Sequence, residues 1–481
     1  MPETKRLPTG TGAARGGLRA IVYSLNTGAE RLVNLGSYGY SYDLLKARFR
    51  STLEQCATVT EIAQPESRLE FAIHSAGEAG FQPVVLGFAP FQNLHPTRSA
   101  PQVLYMCWEF PDVPRQPING DRRFDWPRMS RHASLIIVPA TFVRDSLERG
   151  GVRGPIRVIP VPMPAEQFTI PSWAGGPAAA MSFRGHDLTA PEAAADAARA
   201  AAGTRPARPQ GVWATFRREV TRAVRKMRAR RPPDTPQAVS DVAEPRGSSL
   251  ELGGVVYTMI FNLADARKAW QEALTAFVHA LRDHDDATLV LKLSVTPLLA
   301  QSHLDAVRAA HARLANVPHR CRVVVVTQSL DDGQMAALTE ATTYYANITR
   351  AEGAGLPIQE AMAAGRPALS PLHTSMTDYF DESVGFLVRS APEPTTWPGD
   401  ATERYSTSWA RLDWQSLHDQ FQASYRLAKD RTAYDRLSQA ARERMRSYAD
   451  PAVIADQIRR ALEEAVALSA GTGATSYRLT G

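Results

Sequence analysis

The segment TTYYANITRAEGAGLPIQEAMAAGRPALS, residues 342–370, indicates the fold of this 481-residue chain. Its first seven residues are mostly aromatic, β-branched or small, and they predict a buried strand that ends near Ile348. After a glycine-containing loop, PIQEAMAAG predicts a helix, because proline is tolerated in the first helical turn and glycine often follows the last. RPALS predicts the next strand. This order of strand, loop, helix and strand is typical of a parallel sheet covered by helices.

Two glutamates, Glu352 and Glu360, flank the glycines of this loop. We expect Glu352 at the carboxyl end of the strand and Glu360 within the first turns of the helix. Gly353 and Gly355 permit positive φ values and a close approach of the backbone to a ligand. A helix N-terminus favours phosphate, whereas carboxylates accept hydrogen bonds from paired sugar hydroxyls. The loop therefore predicts a site for a ligand that carries both phosphate and sugar hydroxyls. The alternative is that one glutamate caps its own helix and the other lies on a solvated face.

The same alternation of strands and helices fills two regions of the chain. It runs from about residue 18 to the strand IRVIPVP, and it begins again at about residue 254. Residues 170–250 are rich in Ala, Gly, Pro and Arg and show no strand pattern, so they predict an insertion or a linker. Two such domains are expected to bind ligands in the cleft between the carboxyl ends of their strands.

We therefore expect four parts in the chain. Residues 1–168 form a Rossmann-like N-terminal domain, and residues 169–250 form the insertion or linker. Residues 251–412 form a second Rossmann-like domain. Residues 413–481 form helices that cross back to the first domain, followed by a flexible tail.

The composition limits the class of protein. Hydrophobic residues make up 44% of the chain and charged residues 22%, which is typical of globular proteins. The apolar runs are shorter than the roughly 20 residues that span a bilayer, and no apolar run of a secretory signal follows the first basic residues. The 3 cysteines lie far apart and predict neither a disulfide framework nor a zinc site. We expect a soluble, cytoplasmic protein.

The loop and its helix resemble the signature of an enzyme family. EGAGLPIQEAMAAGRPALS is similar to the E-x7-E signature of the retaining glycosyltransferases of family 4, also called group 1. Three other stretches resemble the same family: ASLIIVPATFVRDSLERGGVRGPIRVIPVPMPAEQF, FNLADARKAWQEALTAF and HTSMTDYFDESVGFLV. The resemblance covers roughly residues 18–168 and 250–465. It implies an α/β fold of the GT-B class, in which two doubly wound, Rossmann-like domains face each other across a cleft and a helical C-terminal tail follows.

The resemblance also implies roles for individual residues, with the acceptor side in the first domain and the nucleotide-sugar donor in the second. Glu352 would contact hydroxyls of the donor sugar, and Glu360 would contact the ribose of the nucleotide. Lys268, together with Arg267, would neutralise the leaving diphosphate, on which charge develops as the glycosidic bond breaks. The alternative for this basic pair is a solvated start of a helix. Further contacts with the diphosphate and sugar would come from Gly353, Ala354, Gly355, Leu356, Thr374 and Ser375.

Two positions depart from the family pattern. Asn262 stands where the family has an arginine, so either Arg267 replaces that cation or the diphosphate is held less tightly at this part of the donor site. Trp108 and Glu109 stand near the place where the family has a histidine beside the reacting sugar. We expect Glu109 to orient or deprotonate the acceptor hydroxyl, and Trp108 to form a wall of the cleft.

These features predict a retaining hexosyltransferase that uses no metal ion and no cofactor. It would move a sugar from a UDP- or GDP-sugar to a hydroxyl of a glycan or lipid-linked acceptor, in bacterial surface polysaccharide synthesis. The alternatives are a non-catalytic sugar-nucleotide-binding or scaffold protein of the same fold, and a GT-B epimerase. The Asp-x-Asp pattern in DHDD, residues 283–286, resembles a metal site of another fold, but acidic residues are common in such a helix-to-strand turn.

A basic segment, GVWATFRREVTRAVRKMRARR at residues 211–231, lies within the predicted insertion. Its apolar residues follow helical spacing on one face, as expected for a helix that lies on an anionic membrane at the inner surface. The alternative is a helix that covers the N-terminal domain while its arginines are solvated. We expect no nucleic-acid partner, because no recognised binding module accompanies the net charge of +6.

Overall fold

The computed structural model describes residues 17–25, 40–118, 120–176, 178–190, 247–397, 400 and 405–471. The chain forms two compact units. The first unit combines Met1–Trp173 with Tyr344–Gly481, and the second is Ala174–Thr343. The domain boundaries that we expect from the sequence, after residues 168, 250 and 412, stay predictions.

A parallel sheet organises the N-terminal part of the first unit. Its described strands are β1 (Leu18–Ser24), β2 (Thr58–Glu61), β3 (Gln82–Phe88), β4 (Gln102–Tyr105), β5 (Leu135–Val138) and β6 (Ile156–Val158). They pair in the order β2-β1-β3-β4-β5-β6, and every pair is parallel. The accompanying helices are α1 (Tyr40–Glu54), α2 (Pro65–Glu78), α3 (Trp126–Met129), α4 (Thr141–Arg149) and α5 (Ala165–Thr169). In this doubly wound order the direction of winding changes between β1 and β3, the place where such sheets bind ligands.

The second unit contains strands β7 (Ala179–Asp187), β8 (Ser248–Leu252), β9 (Val255–Phe261), β10 (Ala287–Leu293) and β11 (Arg322–Val326). Strands β9, β10 and β11 are parallel neighbours, and β7 and β8 extend the sheet in antiparallel fashion beyond β11. The helices are α6 (Trp270–Leu281), α7 (Pro297–Ala312) and α8 (Asp332–Ala341). Strands β9 and β10 are almost wholly buried, as expected for parallel strands covered on both faces.

Strands β7 and β8 correct one expectation, since we predicted no strand between residues 170 and 250. Within β7, Phe183 and Gly185 are buried while Ser182 and Arg184 are exposed, which is the alternation of a strand with one buried and one exposed face. The pattern was hard to recognise because one of its two buried positions is a glycine. A Cβ at Gly185 would lie 2.5 Å from Leu250 Cδ1, so the tight packing of β8 against β7 requires the glycine that hides the pattern.

The chain then returns to the first unit. Its strands there are β12 (Tyr344–Ala346), β13 (Ala368–Pro371), β14 (Gly385–Val388), β15 (Ser390–Thr396) and β16 (Ser406–Leu412). Strands β12, β13 and β14 are parallel, whereas β15 and β16 form a separate antiparallel pair that we did not predict. The helices are α9 (Leu356–Ala363), α10 (Trp414–Ala428), α11 (Arg431–Ala449) and α12 (Pro451–Gly471).

Helix α12 packs on the N-terminal sheet. Its residues Ile454, Ile458 and Leu462 are buried in one cluster with Phe49 of α1 and Tyr105 of β4. Helix α12 therefore contributes to the core around the strands of the N-terminal sheet. The predicted α/β fold, with two Rossmann-like parallel sheets and a helical C-terminal region, is confirmed.

Candidate functional site

The geometry of the signature loop requires glycine at position 355 and favours it at position 353. Gly355 has a φ of 75° immediately before α9, and a Cβ there would lie 2.4 Å from the hydroxyl oxygen of Tyr379. A Cβ on Gly353 would lie 3.2 Å from both the Cβ of Cys107 and the backbone nitrogen of Trp108. Gly353 thus lets the loop approach the backbone that follows β4, and Gly355 lets the loop turn into α9.

A second loop, which follows β13, holds the backbone of Glu352. The Glu352 N–H donates to Oγ1 of Thr374 at 3.1 Å, and the Ser375 N–H donates to the Glu352 carbonyl at 3.3 Å. Thr374 has a φ of 52°, a left-handed conformation that β-branched residues rarely adopt and that is often found at functional sites. The Glu352 residue is only 7% exposed. The structure therefore brings together three of the predicted site residues.

His373 extends this network as a neutral side chain. Its Nε2 lies 3.2 Å from the Thr349 carbonyl, and its Nδ1 lies 3.1 Å from Thr374 Oγ1. Because a carbonyl can only accept, Nε2 carries the proton, and Nδ1 accepts from the threonine hydroxyl. Burial lowers the pKa of His373 to about 4, so the ring stays neutral at physiological pH. The hydrogen bonds then run in one direction, from Glu352 N–H through Thr374 and His373 to Thr349.

Glu360, the second glutamate of the signature, forms an ion pair with Arg48 of α1. Their side chains are 21% and 23% exposed, respectively. Glu360 is thus partly buried and paired with a guanidinium, whereas the alternative interpretation of the sequence was a glutamate on a solvated face. Arg48 had no local signal in the sequence, since it lies more than 300 residues before its partner.

The loop after β4 is held by α1. The Tyr42 hydroxyl donates to the Cys107 carbonyl at 3.0 Å, and the Cys107 N–H lies 3.3 Å from the same hydroxyl oxygen. Burial, with the negative charge of Glu109, raises the pKa of the Cys107 thiol well above its usual value, so the thiol stays protonated. Glu109 itself is partly buried and follows the carboxyl end of β4, where we expected it.

Trp108 does not line a surface. It is 2% exposed and packs against the Trp126 and Trp397 rings, with centroids 4.7 and 5.5 Å away. Its Nε1–H donates to the carbonyl of Asp112 at 2.9 Å. Trp108 therefore supports the loop from within the core, and our expectation of a cleft wall does not describe its position.

The β15–β16 hairpin contacts both the signature loop and the loop after β4. The Ala410 N–H of β16 donates to the carbonyl of Arg350 at 2.9 Å, two residues before Glu352. The Thr407 hydroxyl donates to Asp112 of the other loop at 3.1 Å. The hairpin thus binds both the signature loop and the loop after β4.

The predicted cations lie in the second unit, before α6. Arg267 Nε and Nη2 donate to the Asp265 carboxylate at 3.0 and 2.7 Å, and the Lys268 N–H donates to the Asp265 carbonyl. Burial alone would raise the Asp265 pKa, but the charges of Arg267 and Lys268 outweigh it and hold that pKa below its usual value. The Asn262 Oδ1 accepts from Ala264 N–H at 3.0 Å, so this side chain stabilises the turn.

Sequence reasoning missed one further cation of the second unit. Lys292, near the end of β10, is 6% exposed, and its Nζ donates to the carbonyl of Leu293 at 2.8 Å. In the strand ATLVLKL this lysine and a threonine are the polar residues. Because lysine is rarely buried, a lysine within a strand predicted to be buried could have been recognised as unusual from the sequence.

Several expectations concern metal ions and membranes. Within the described ranges, no group of three or more His, Cys, Asp or Glu side chains is placed to bind a metal ion. Residues 283–286 lie between α6 and β10, in the turn that we predicted. None of the helices in the described part of the chain is long and apolar enough to cross a bilayer. The basic segment 211–231 lies outside the described residues.

Comparison with models of protein families and with curated protein sequences finds no match. Solved structures do match. A glycosyltransferase from Rickettsia africae has a TM-score of 0.50 at 10% identity, over 94% of this chain and 99% of that chain. HepE of Anabaena, solved with UDP and glucose, has a TM-score of 0.48 at 14% identity, over 93% and 99%. Sucrose-phosphate synthase from Thermosynechococcus elongatus has a TM-score of 0.48 at 13% identity, over 94% and 99%.

Similarity at such low identity is evidence of fold alone. The match to the Rickettsia africae structure, together with the two Rossmann-like sheets and the helical C-terminal region, identifies the architecture of the chain as an α/β fold of the GT-B class.

Proposed function

We propose that this chain is a glycosyltransferase that moves a sugar from a nucleotide-sugar donor to an acceptor hydroxyl. The observation that carries the proposal is the signature loop. Its Gly355 begins α9 in a left-handed conformation, and its Glu352 is held by a neighbouring strained loop through Thr374. Glu352 precedes the first residue of α9 by four positions, and a carboxylate near the N-terminus of a helix would suit a ligand with sugar hydroxyls and phosphate.

Each donor contact then has a chemical reason. Glu352 accepts hydrogen bonds from sugar hydroxyls, and Glu360 accepts them from the ribose. The backbone of Gly353 to Leu356, with Thr374 and Ser375, contacts the diphosphate and sugar. Lys268 supplies the fixed positive charge that stabilises the leaving diphosphate. Arg267 contributes less in this proposal, because its guanidinium binds Asp265.

The acceptor side depends on Glu109. The loop after β4 touches the signature loop at Gly353, and Glu109 lies two residues beyond Cys107 at this contact. We assign Glu109 the role of orienting or deprotonating the acceptor hydroxyl. The reaction proceeds with retention and without a metal ion, from a UDP- or GDP-sugar to a glycan or lipid-linked acceptor. Bacterial surface polysaccharide synthesis, with the protein at the inner membrane surface through residues 211–231, is the setting that we propose.

A second candidate is a protein of this fold that binds a sugar nucleotide without transfer. It is favoured by Asn262, which stands where the family has an arginine and whose side chain is used within a turn. The two functions differ in one observable property, because both bind the donor but only the enzyme releases nucleoside diphosphate from it.

Release of UDP or GDP from a panel of nucleotide sugars tests the proposal. The panel contains UDP-glucose, UDP-galactose, UDP-N-acetylglucosamine and GDP-mannose, with water as the acceptor. We expect release from at least one donor, a loss of about a hundredfold or more in Glu352→Gln, and no change in Glu382→Gln. Glu382 is a suitable control because it is exposed. Donor binding without release would support the second candidate, and neither binding nor release would refute both.

A further inference from the structure

Two residues of helix α1 lie near the signature, one in direct contact with it and one through the loop after β4. Tyr42 binds the backbone of Cys107, against which Gly353 packs, and Arg48 binds the Glu360 carboxylate. Residues of α1 therefore lie next to the beginning and the end of the signature.

The contact made by Arg48 differs from those of its charged neighbours on the same helix. Lys46 and Arg50 each bind Glu61 of β2 at 3.0 Å. Two residues correspond to about 200° of rotation along an α-helix, so the Arg48 side chain leaves α1 on a side different from both neighbours. Arg48 and Glu360 are both largely shielded from solvent. Lys46 is similarly shielded, but its partner Glu61 is 35% exposed, and Arg50 is 61% exposed. Partial burial strengthens the attraction within an ion pair relative to an exposed one.

We propose that Arg48 is a positioning residue that orients Glu360 toward the ribose of the bound nucleotide. The inference rests on the proposed function, in which Glu360 accepts ribose hydroxyls. A carboxylate can accept about four hydrogen bonds, so one guanidinium N–H and two ribose hydroxyls can bind the same group together. Without Arg48, the Glu360 side chain must be ordered at the moment of binding, and this ordering lowers affinity.

This role predicts a specific change in selectivity. A ribonucleotide uses the oriented carboxylate through its 2′-hydroxyl, whereas a 2′-deoxynucleotide lacks that donor. Loss of Arg48 should therefore weaken binding of the ribonucleotide more than binding of the 2′-deoxynucleotide, which keeps only its 3′-hydroxyl as a donor to Glu360. A residue that merely supports the fold, or one that contacts phosphate, would weaken both ligands by the same factor.

The experiment measures dissociation constants of UDP, GDP and their 2′-deoxy counterparts by calorimetry on the full chain. The variants are Arg48→Ala, Arg48→Lys, Glu360→Gln and the matched control Lys46→Ala, whose residue lies on the same helix and binds Glu61. In Arg48→Ala and Glu360→Gln we expect the ratio of the affinity for the ribonucleotide to that for its 2′-deoxy counterpart to fall about tenfold, which corresponds to about 1.4 kcal/mol. We expect Arg48→Lys to recover part of this preference and Lys46→Ala to retain all of it.

The outcomes separate this inference from the proposed function. If the wild-type protein binds neither UDP nor GDP, the proposed function fails and the role of Arg48 fails with it. If it binds one of them and Arg48→Ala keeps the full preference for ribose, Arg48 has no positioning role while donor binding stands. If Arg48→Ala weakens binding of the ribonucleotide and of its 2′-deoxy counterpart by the same factor, with an unchanged melting temperature, Arg48 contacts phosphate instead. This result also overturns the inference.

Discussion

Replacement of Gly355 by alanine tests whether the signature loop needs its left-handed turn. With a φ of 75°, an alanine at this position costs about 1–2 kcal/mol. Its Cβ would also lie 2.4 Å from the Tyr379 hydroxyl, which donates to the Ala354 carbonyl at 3.2 Å. Displacing this buried hydroxyl from its hydrogen bond costs about 1–3 kcal/mol. We expect Gly355→Ala to lower the free energy of unfolding of the first unit by about 3 kcal/mol.

A double-mutant cycle separates the two contributions. Tyr379→Phe alone should cost about 1 kcal/mol, since it removes one hydrogen bond. In Gly355→Ala/Tyr379→Phe the clash is gone, so the double variant should cost about 2 kcal/mol, which is less than the sum of the single costs.

The assay is urea unfolding followed by circular dichroism and tryptophan fluorescence. Gly77→Ala in α2 is the control, because no atom lies within 4 Å of a Cβ at Gly77. Alanine in this helix should stabilise the protein by up to about 1 kcal/mol. Equal effects of Gly77→Ala and Gly355→Ala, or additive costs in the cycle, would refute the role that we assign to the turn.

Three further predictions address charge, pH and the membrane. Lys268→Ala should weaken nucleoside diphosphate binding at least tenfold while excess EDTA leaves donor turnover intact, and activity lost to EDTA and restored by manganese would contradict the proposed mechanism. The pKa of His373 falls from 6.5 to about 4 on folding, so stability decreases as the pH falls from 6.5 toward 4. In His373→Gln the slope of unfolding free energy against pH should decrease by up to about 1.4 kcal/mol per pH unit, and an unchanged slope would refute the neutral, buried histidine. Deletion of residues 205–235 should abolish cosedimentation with anionic vesicles at low salt, and equal sedimentation of both proteins would exclude the membrane role.

The signature loop was predictable because its constraints are local. A buried strand, two glycines and a proline within sixteen residues specify where the chain turns, and the structure has α9 beginning directly after Gly355. Thr374 was not predictable in its left-handed conformation, since β-branched residues disfavour it and the Glu352 N–H that it binds lies 22 residues earlier.

Contacts between distant parts of the chain set the limit of prediction. No local pattern connects Arg48 with Glu360, and their ion pair depends on how α1 packs near α9. The β15–β16 hairpin was missed for a different reason. Its strand β15 contains Pro392 and Pro394, and prolines are unfavourable in strand interiors and tolerated in edge strands. Its attachment through Trp397 and Thr407 involves residues about 290 positions away in the sequence.

Comparison of a nucleotide sugar with its parent nucleoside diphosphate tests the central claim most directly. Calorimetric titration of the wild-type protein, Glu352→Gln and Glu382→Gln would use the four nucleotide sugars of the panel above, together with UDP and GDP. We predict that at least one nucleotide sugar binds the wild-type protein, that Glu352→Gln weakens its binding about tenfold or more, and that the affinity for the matching nucleoside diphosphate changes little. Failure of every nucleotide sugar of the panel to bind, or an equal loss for the sugar-bearing and sugar-free ligands, would contradict the assignment of Glu352 to the donor sugar.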